Sequence, residues 1–158
     1  MKKRILMVCL FLFPVAAWAI YKPMRILLPE FVSGITCKSE VICIDDISRY
    51  PVALKMYEEA VNFVDSSVGN LRKRPRVIFC STAVCFNSFG FKKASATTIG
   101  TSGIVISPRG WKHYYLRHEV IHHLQAERLG IFSHWRSPEW YKEGMAYYLS
   151  LDPGKKPV

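Results

Sequence analysis

The stretch WKHYYLRHEVIHHLQAERLG, residues 111–130, organises the rest of the chain around it. Its composition predicts a helix from near Trp111 to Glu127 or Leu129, closed by Gly130. Within that helix His118 and His122 stand four residues apart, so both imidazoles share one face and can reach a single metal ion. Glu119 directly follows the first of them, where its carboxylate can take a proton from a water beside the metal. His123 sits about 100° further round the helix and points away, which makes it structural or exposed.

The elements on either side complete an α+β reading. Upstream, Ala94–Ile106 is rich in Thr, Ser, Gly and Ile. It predicts two short strands bent at Gly100 or Gly103, the second being Ile104-Val105-Ile106, stopped by Pro108-Arg109-Gly110. Val77-Ile78-Phe79-Cys80 is a further β-prone run, followed by a loop carrying Cys85, Asn87 and Gly90. Between Pro51 and Asn70 the spacing of Leu54, Tyr57, Val61 and Val64 or Val68 predicts an amphipathic helix that stops at Gly69-Asn70. Val41–Ile44 reads as a strand and Arg25–Leu28 as an edge strand. Downstream, Ile131–Arg136 is a linker, and Ser137-Pro138 supplies an N-cap and first-turn pair for a third helix ending near Ser150. Asp152-Pro153-Gly154 breaks the chain, and Lys155–Val158 forms a frayed end. The expected architecture is one domain with a small, mostly antiparallel sheet, a motif-bearing helix and a following glutamate-bearing helix.

A zinc ion that keeps one position open for water needs a third protein ligand. The best placed is Glu143, in Trp140-Tyr141-Lys142-Glu143-Gly144-Met145-Ala146, with twenty residues between it and His122. That gap allows one helix to end and another to return beside it. Gly144 and Ala146 suit close helix contact, and Trp140, Met145 and Tyr147 surround the glutamate with apolar neighbours. His134 is a rival ligand from the linker. Glu139 belongs to the first turn of its helix, where an acidic side chain favours the helix dipole.

The HExxH motif followed by a W-x-x-E-G-x-A helix resembles the gluzincin branch of the zincin metallopeptidases, the group that includes thermolysin and many small peptidase MA-like domains. The resemblance covers residues 95–150 and says little about residues 20–75. It implies a minimal zincin-like fold, zinc held by His118, His122 and Glu143, and Glu119 as the general base in peptide-bond hydrolysis by a metal-activated water. The metzincin pattern fails, because Gln125 and Arg128 occupy the positions of its glycine and third histidine. Thermolysin-like enzymes place an aspartate one turn beyond the ligand glutamate to orient a zinc histidine; Tyr147 stands there, and its hydroxyl could accept the imidazole proton instead. Such enzymes also draw an oxyanion donor from a downstream domain. Here the donor must be local: Tyr147 first, then His134, Tyr114 or Tyr115. In zincins a sheet edge pairs with the extended peptide, and the corresponding segment is part of Ser95–Ser107. Little chain follows residue 150, so a protein partner could complete the cleft, or the substrate could be an exposed segment of a folded protein.

The ends and the composition set the compartment. Residues 1–19 combine Lys2-Lys3-Arg4, an apolar run and Ala17-Trp18-Ala19, the layout of a signal peptide cleaved after Ala19. Removing it leaves residues 20–158 as one domain, secreted or periplasmic. The apolar run Ile5–Ile20 contains Pro14 and spans 16 residues, short of the roughly 20 a membrane helix needs, and a retained N-terminal anchor is the minor alternative. The net charge of +10 is concentrated partly in Arg72-Lys73-Arg74-Pro75-Arg76. It reads as a solvated loop with scope for peripheral contact with an anionic envelope surface; export argues against a nucleic-acid partner. Cys9 leaves with the signal. Cys37, Cys43, Cys80 and Cys85 permit three complete pairings, of which the sequence-local one is slightly favoured; an oxidising compartment and wide spacing count against a four-thiolate zinc site. Two other functions fit the same residues: a zinc-binding envelope scaffold without turnover, and a zinc amidase acting on cell-wall peptides.

Overall fold

The structure, a computed structural model, describes residues 17–151. Most of the signal segment, the break at Asp152-Pro153-Gly154 and the end Lys155–Val158 lie outside the described residues. The chain enters through two 3-10 turns, Lys22–Leu27 and Pro29–Phe31. Arg25–Leu28 is therefore a turn and not the expected edge strand: Pro23 and Pro29 each open a 3-10 turn and interrupt any sheet ladder. Strands β1 (Thr36–Cys37) and β2 (Ile42–Ile44) follow, then helix α1 (Tyr50–Ser67) and strand β3 (Val77–Phe79). Helix α2 (Ala83–Ser88), strands β4 (Ala96–Ile99) and β5 (Gly103–Ile106), and helices α3 (His113–Leu129), α4 (Ile131–Arg136) and α5 (Glu139–Ser150) complete the order.

Among the described residues the five strands form one mixed sheet in the order β1-β2-β3-β5-β4. The outer pairings, β1 with β2 and β4 with β5, are antiparallel, and the central ones, β2 with β3 and β3 with β5, are parallel. Antiparallel pairs are thus half of the ladder and not most of it. The reason lies in the connections: α1 carries the chain back between β2 and β3, and such a crossover leaves its two strands parallel. Ile42, Ile44, Val77, Phe79, Ile104 and Ile106 point to the face covered by α1 and α3. Their neighbours Cys43, Ile78 and Val105 point to the other face, under Ile26, Val32, Phe86 and Phe89. Strands covered on both faces are uninterrupted apolar runs, as these three are.

Both disulfides join near neighbours in sequence, Cys37 to Cys43 and Cys80 to Cys85. The first staples β1 to β2 across a directly paired position. The second closes the turn between β3 and α2, where a loop was expected; Thr82 caps this short helix by accepting the Cys85 amide at 3.2 Å. The bridges are consistent with an oxidising compartment. No helix among the described residues is long and apolar enough to cross a membrane.

Helix α1 buries Ala53, Met56, Tyr57, Ala60, Val61 and Val64, the face its periodicity predicts. The basic loop after it is pinned rather than loose. The Glu127 carboxylate accepts the amides of Arg72 and Lys73 at 3.0 and 2.9 Å, and buried His123 packs against the same carboxylate and the Lys73 carbonyl. His123 is thus structural. Gly110 has a steric reason to be glycine: a Cβ there would lie 2.0 Å from the Ser95 carbonyl oxygen. That contact brings the start of β4 against the entry to α3.

Candidate metal centre

The three ligand candidates come from two helices. His118 and His122 lie on the buried face of α3, and Glu143 is half-buried on α5. Gly130, with φ of +80°, ends α3 and lets the chain turn at once into α4, which occupies the expected linker. Ser137 does not cap the last helix: its hydroxyl donates back to the Ser133 carbonyl at 2.9 Å, and Pro138 holds the cap position. Ala146, fully buried, makes the close approach of α5 to the core. A Cβ on Gly144 would meet nothing within 4 Å, so the contact expected of that glycine belongs to Ala146 alone.

The donor atoms converge on one point. His118 Nε2 and His122 Nε2 are 3.0 Å apart, and they lie 3.3 and 3.2 Å from the two Glu143 carboxylate oxygens. No placement of protons satisfies all three contacts. If both imidazoles donate to the carboxylate, two N–H groups face each other; if one donates to the other, the acceptor turns a lone pair toward Glu143. A cation among them satisfies all three at once. Ligands of a tetrahedral ion with bonds of about 2.1 Å lie roughly 3.4 Å apart, close to these separations. His118, His122 and Glu143 form a group able to hold a metal ion.

The surroundings strengthen the electrostatics. Hydrogen bonds from His118 and His122 hold the Glu143 carboxyl far below the ordinary glutamate range, against the opposing effect of burial. Burial acts to lower the His122 pKa, but its hydrogen bond to Glu143, the Glu119 charge and the Gln125 contact together raise it. Gln125 Oε1 lies 2.9 Å from His122 Nδ1, and Gln125 Nε2 donates to the Lys142 carbonyl at 3.2 Å. This glutamine therefore orients a ligand and ties α3 to the glutamate helix. Its presence three residues after His122, on the same helix face, was the available sequence signal.

Glu119 is buried and lines the same cleft. Burial raises its pKa, countered by His122, by the Thr98 hydroxyl and by His118. Thr98, on β4, donates to the carboxylate at 2.6 Å. Sequence reasoning did not single out Thr98, because a residue 21 positions away in sequence is joined to the motif only by the packing of β4 on α3.

The cleft has a volume of about 500 Å³, bounded by Ala94–Thr98 on one side and by α3 and α5 on the other. Tyr115, His134, Lys142 and Tyr147 also line it. Tyr114 is not in the wall; its ring lies 4.5 Å from that of Tyr115. His134 stays outside the ligand group, its ring centroid 6.2 Å from that of His122. Burial and the neighbouring His122 and Lys142 lower its pKa. The Tyr147 ring meets His118 edge-on at 4.6 Å, but His118 Nδ1 has no hydrogen-bond partner among the described residues. The expected tyrosine acceptor for that imidazole is thus not formed; the histidine held by a neighbour is His122, through Gln125. Trp140 and Tyr148 are exposed on the far side of α5, while Trp111 packs on Phe79 in the core.

Strand β4 is an edge of the sheet, and the cleft runs beside it. The Ser107 amide donates to the Ser95 carbonyl at 2.9 Å. By the alternation of an antiparallel ladder, Thr97 and Ile99 also direct their backbone groups to β5, and Ala96 and Thr98 direct theirs to the open edge. No family model, no curated protein and no solved structure matches this chain.

Proposed function

We propose that this chain is an exported zinc-dependent peptidase, gluzincin-like in its site, with His118, His122 and Glu143 as zinc ligands and Glu119 as general base. The observation that carries the reading is the convergence of the His118, His122 and Glu143 donor atoms into a group able to hold a metal ion, with a buried carboxylate beside it in an open cleft. Two imidazoles and one carboxylate suit zinc and leave a coordination position for water. Zinc bound there supplies Lewis acidity and makes a water more acidic. Glu119, its pKa raised by burial, accepts the proton of the attacking water and passes it to the departing amine. The Thr98 hydroxyl keeps the carboxylate aimed into the cleft.

An extended peptide fits the open edge of β4, with Ala96 and Thr98 offering the backbone groups that orient it. Tyr147, then His134 or Tyr115, all in the cleft wall, are the proposed donors to a developing oxyanion. The substrate is a peptide or an exposed segment of a folded protein. The two disulfides and the N-terminal signal layout support a secreted or periplasmic location.

The test is zinc content and turnover of the wild-type chain and Glu119→Gln on a diverse peptide library. The expected result is one zinc per chain in both, with turnover in the variant at least about 100-fold lower. Equal turnover would remove Glu119 as base. Zinc-loaded protein inert on every peptide would point to the scaffold reading, and turnover confined to wall-derived peptides to the amidase.

A further inference from the structure

Away from the metal ligands, two segments far apart in sequence build one exposed apolar face. Tyr21, Met24 and Leu27 of the N-terminal turn face Ile131 and Trp135 of α4 across a groove of about 460 Å³. Phe132 adjoins Trp135, with ring centroids 6.3 Å apart. Trp135 is 73% exposed, Phe132 67% and Phe31, beyond the turn, 70%. Large apolar side chains gathered outside the core mark an interaction surface.

The charge around this face has one dominant sign. No carboxylate lines the groove, whose ionisable side chains are His134, Lys142 and the Tyr21 phenol. The Arg136 guanidinium lies 5.5 Å from the Phe132 ring. Arg76 donates to the Leu27 carbonyl at 3.1 Å. With Lys73 and Arg74 it lines an adjoining hollow that shares Ser102 with the groove and holds one carboxylate, Glu40. Glu30, next to Phe31, and Glu139, 3.5 Å from Lys142, are the other acidic neighbours, so the cations Lys73, Arg74, Arg76, Arg136 and Lys142 outnumber the carboxylates Glu30, Glu40 and Glu139.

We propose that this face docks on an anionic lipid bilayer. Tyr21, Phe132 and Trp135 enter the boundary between headgroups and acyl chains, while Lys73, Arg74, Arg76 and Arg136 meet lipid phosphates. A peptide would use the floor of the groove and leave the outward aromatic rings uncovered. A second copy of the chain would bring two cationic rims together. The bilayer satisfies both the apolar and the basic components. Because the groove shares Thr98, His134 and Lys142 with the cleft, docking holds the metal centre at the lipid surface.

Hydrogen exchange of the full chain is measured with vesicles of phosphatidylcholine alone and of phosphatidylcholine with phosphatidylglycerol. Docking protects residues 21–31 and 131–136 on the anionic vesicles, and the protection fades at high salt. Arg74→Gln and Arg136→Gln each weaken vesicle binding about fivefold, and Trp135→Ser removes the protection of α4. All three positions are exposed, and an unchanged melting temperature verifies that each variant folds. The apolar run Ile5–Ile20 can tether the chain by itself, so the position of protection decides. Tethered protein with both segments unprotected overturns the proposal, as does equal protection on neutral vesicles. Concentration-dependent protection without lipid would assign the face to a second copy and overturn it as well.

Discussion

Gln125 shows how one side chain connects the candidate metal centre to the rest of the molecule. Its amide oxygen meets His122 and its amide nitrogen donates to α5, so orientation of a ligand and position of the glutamate helix depend on the same group. Gln125→Leu, close in volume and unable to hydrogen-bond, is expected to keep the fold and weaken zinc affinity by about 10- to 100-fold, read by competition with a chromophoric chelator. Unchanged affinity would show that His122 needs no help from its neighbour. At this scale the motif was legible: His118, Glu119, His122 and Glu143 fall in one cleft. Thr98 was not legible, because its link to Glu119 is made by the strand packing across the helix rather than by any local spacing. Tyr147 lies beside His118, the two rings meeting edge-on, and not at its Nδ1.

Among the elements, α1 and α3 are joined by a polar clasp as well as by their apolar faces. Glu59 on α1 pairs with Arg117 and, at 3.0 Å, with His113 on α3. Burial would raise the Glu59 carboxyl, but the hydrogen bonds from Arg117 and His113 and their charges hold it below its ordinary range. A carboxylate depressed in the folded state stabilises that state above its unfolded pKa, and the contribution disappears as pH falls through the folded value. Glu59→Gln is expected to cost roughly 0.5–1 kcal/mol at pH 7, a figure kept small by the partial exposure of the pair. In urea unfolding the gap from wild type should close below about pH 4. A gap independent of pH would mean that Glu59 acts through packing alone. The helix period of α1 was readable because it buries one stripe, whereas α3 is buried at every position from His118 to Ala126 and was read from its motif and its glycine stop. The direction of the central strands was not, since Ile42–Ile44, Val77–Phe79 and Ile104–Ile106 pair equally well either way until the crossovers are drawn. The runs themselves held the missed clue: apolar at every position, they must be covered on both faces. Helices α2 and α4 were also missed, being six residues each and too short to show a period.

For the whole molecule, a metal held by His118, His122 and Glu143 would link folding to the proposed function. An ion bound only by the folded chain, present at a hundred times its Kd, adds about 2.7 kcal/mol to stability. Chelation is therefore expected to lower the melting temperature by roughly 5–10 °C in calorimetry. Glu143→Ala should abolish that difference, because without it two helices no longer share one ion. A melting temperature indifferent to chelator would reject the metal centre. The pairing of His118 with His122, beside Glu119, was set by residue type and by a spacing of four along one helix, which local geometry converts directly into a shared face; Glu143 joins them from a second helix. The cysteines and the apolar runs likewise pointed to disulfides and to strands, while the pairing Cys37–Cys43 and Cys80–Cys85 was only slightly favoured among three. Only the tertiary structure decided that α4 replaces a linker, that Gln125 and Thr98 support the site, and that the N-terminal turn joins α4 in one apolar, cation-rimmed face. These depend on contacts between residues tens of positions apart, and such contacts are fixed by how the layers pack rather than by any neighbour in the chain.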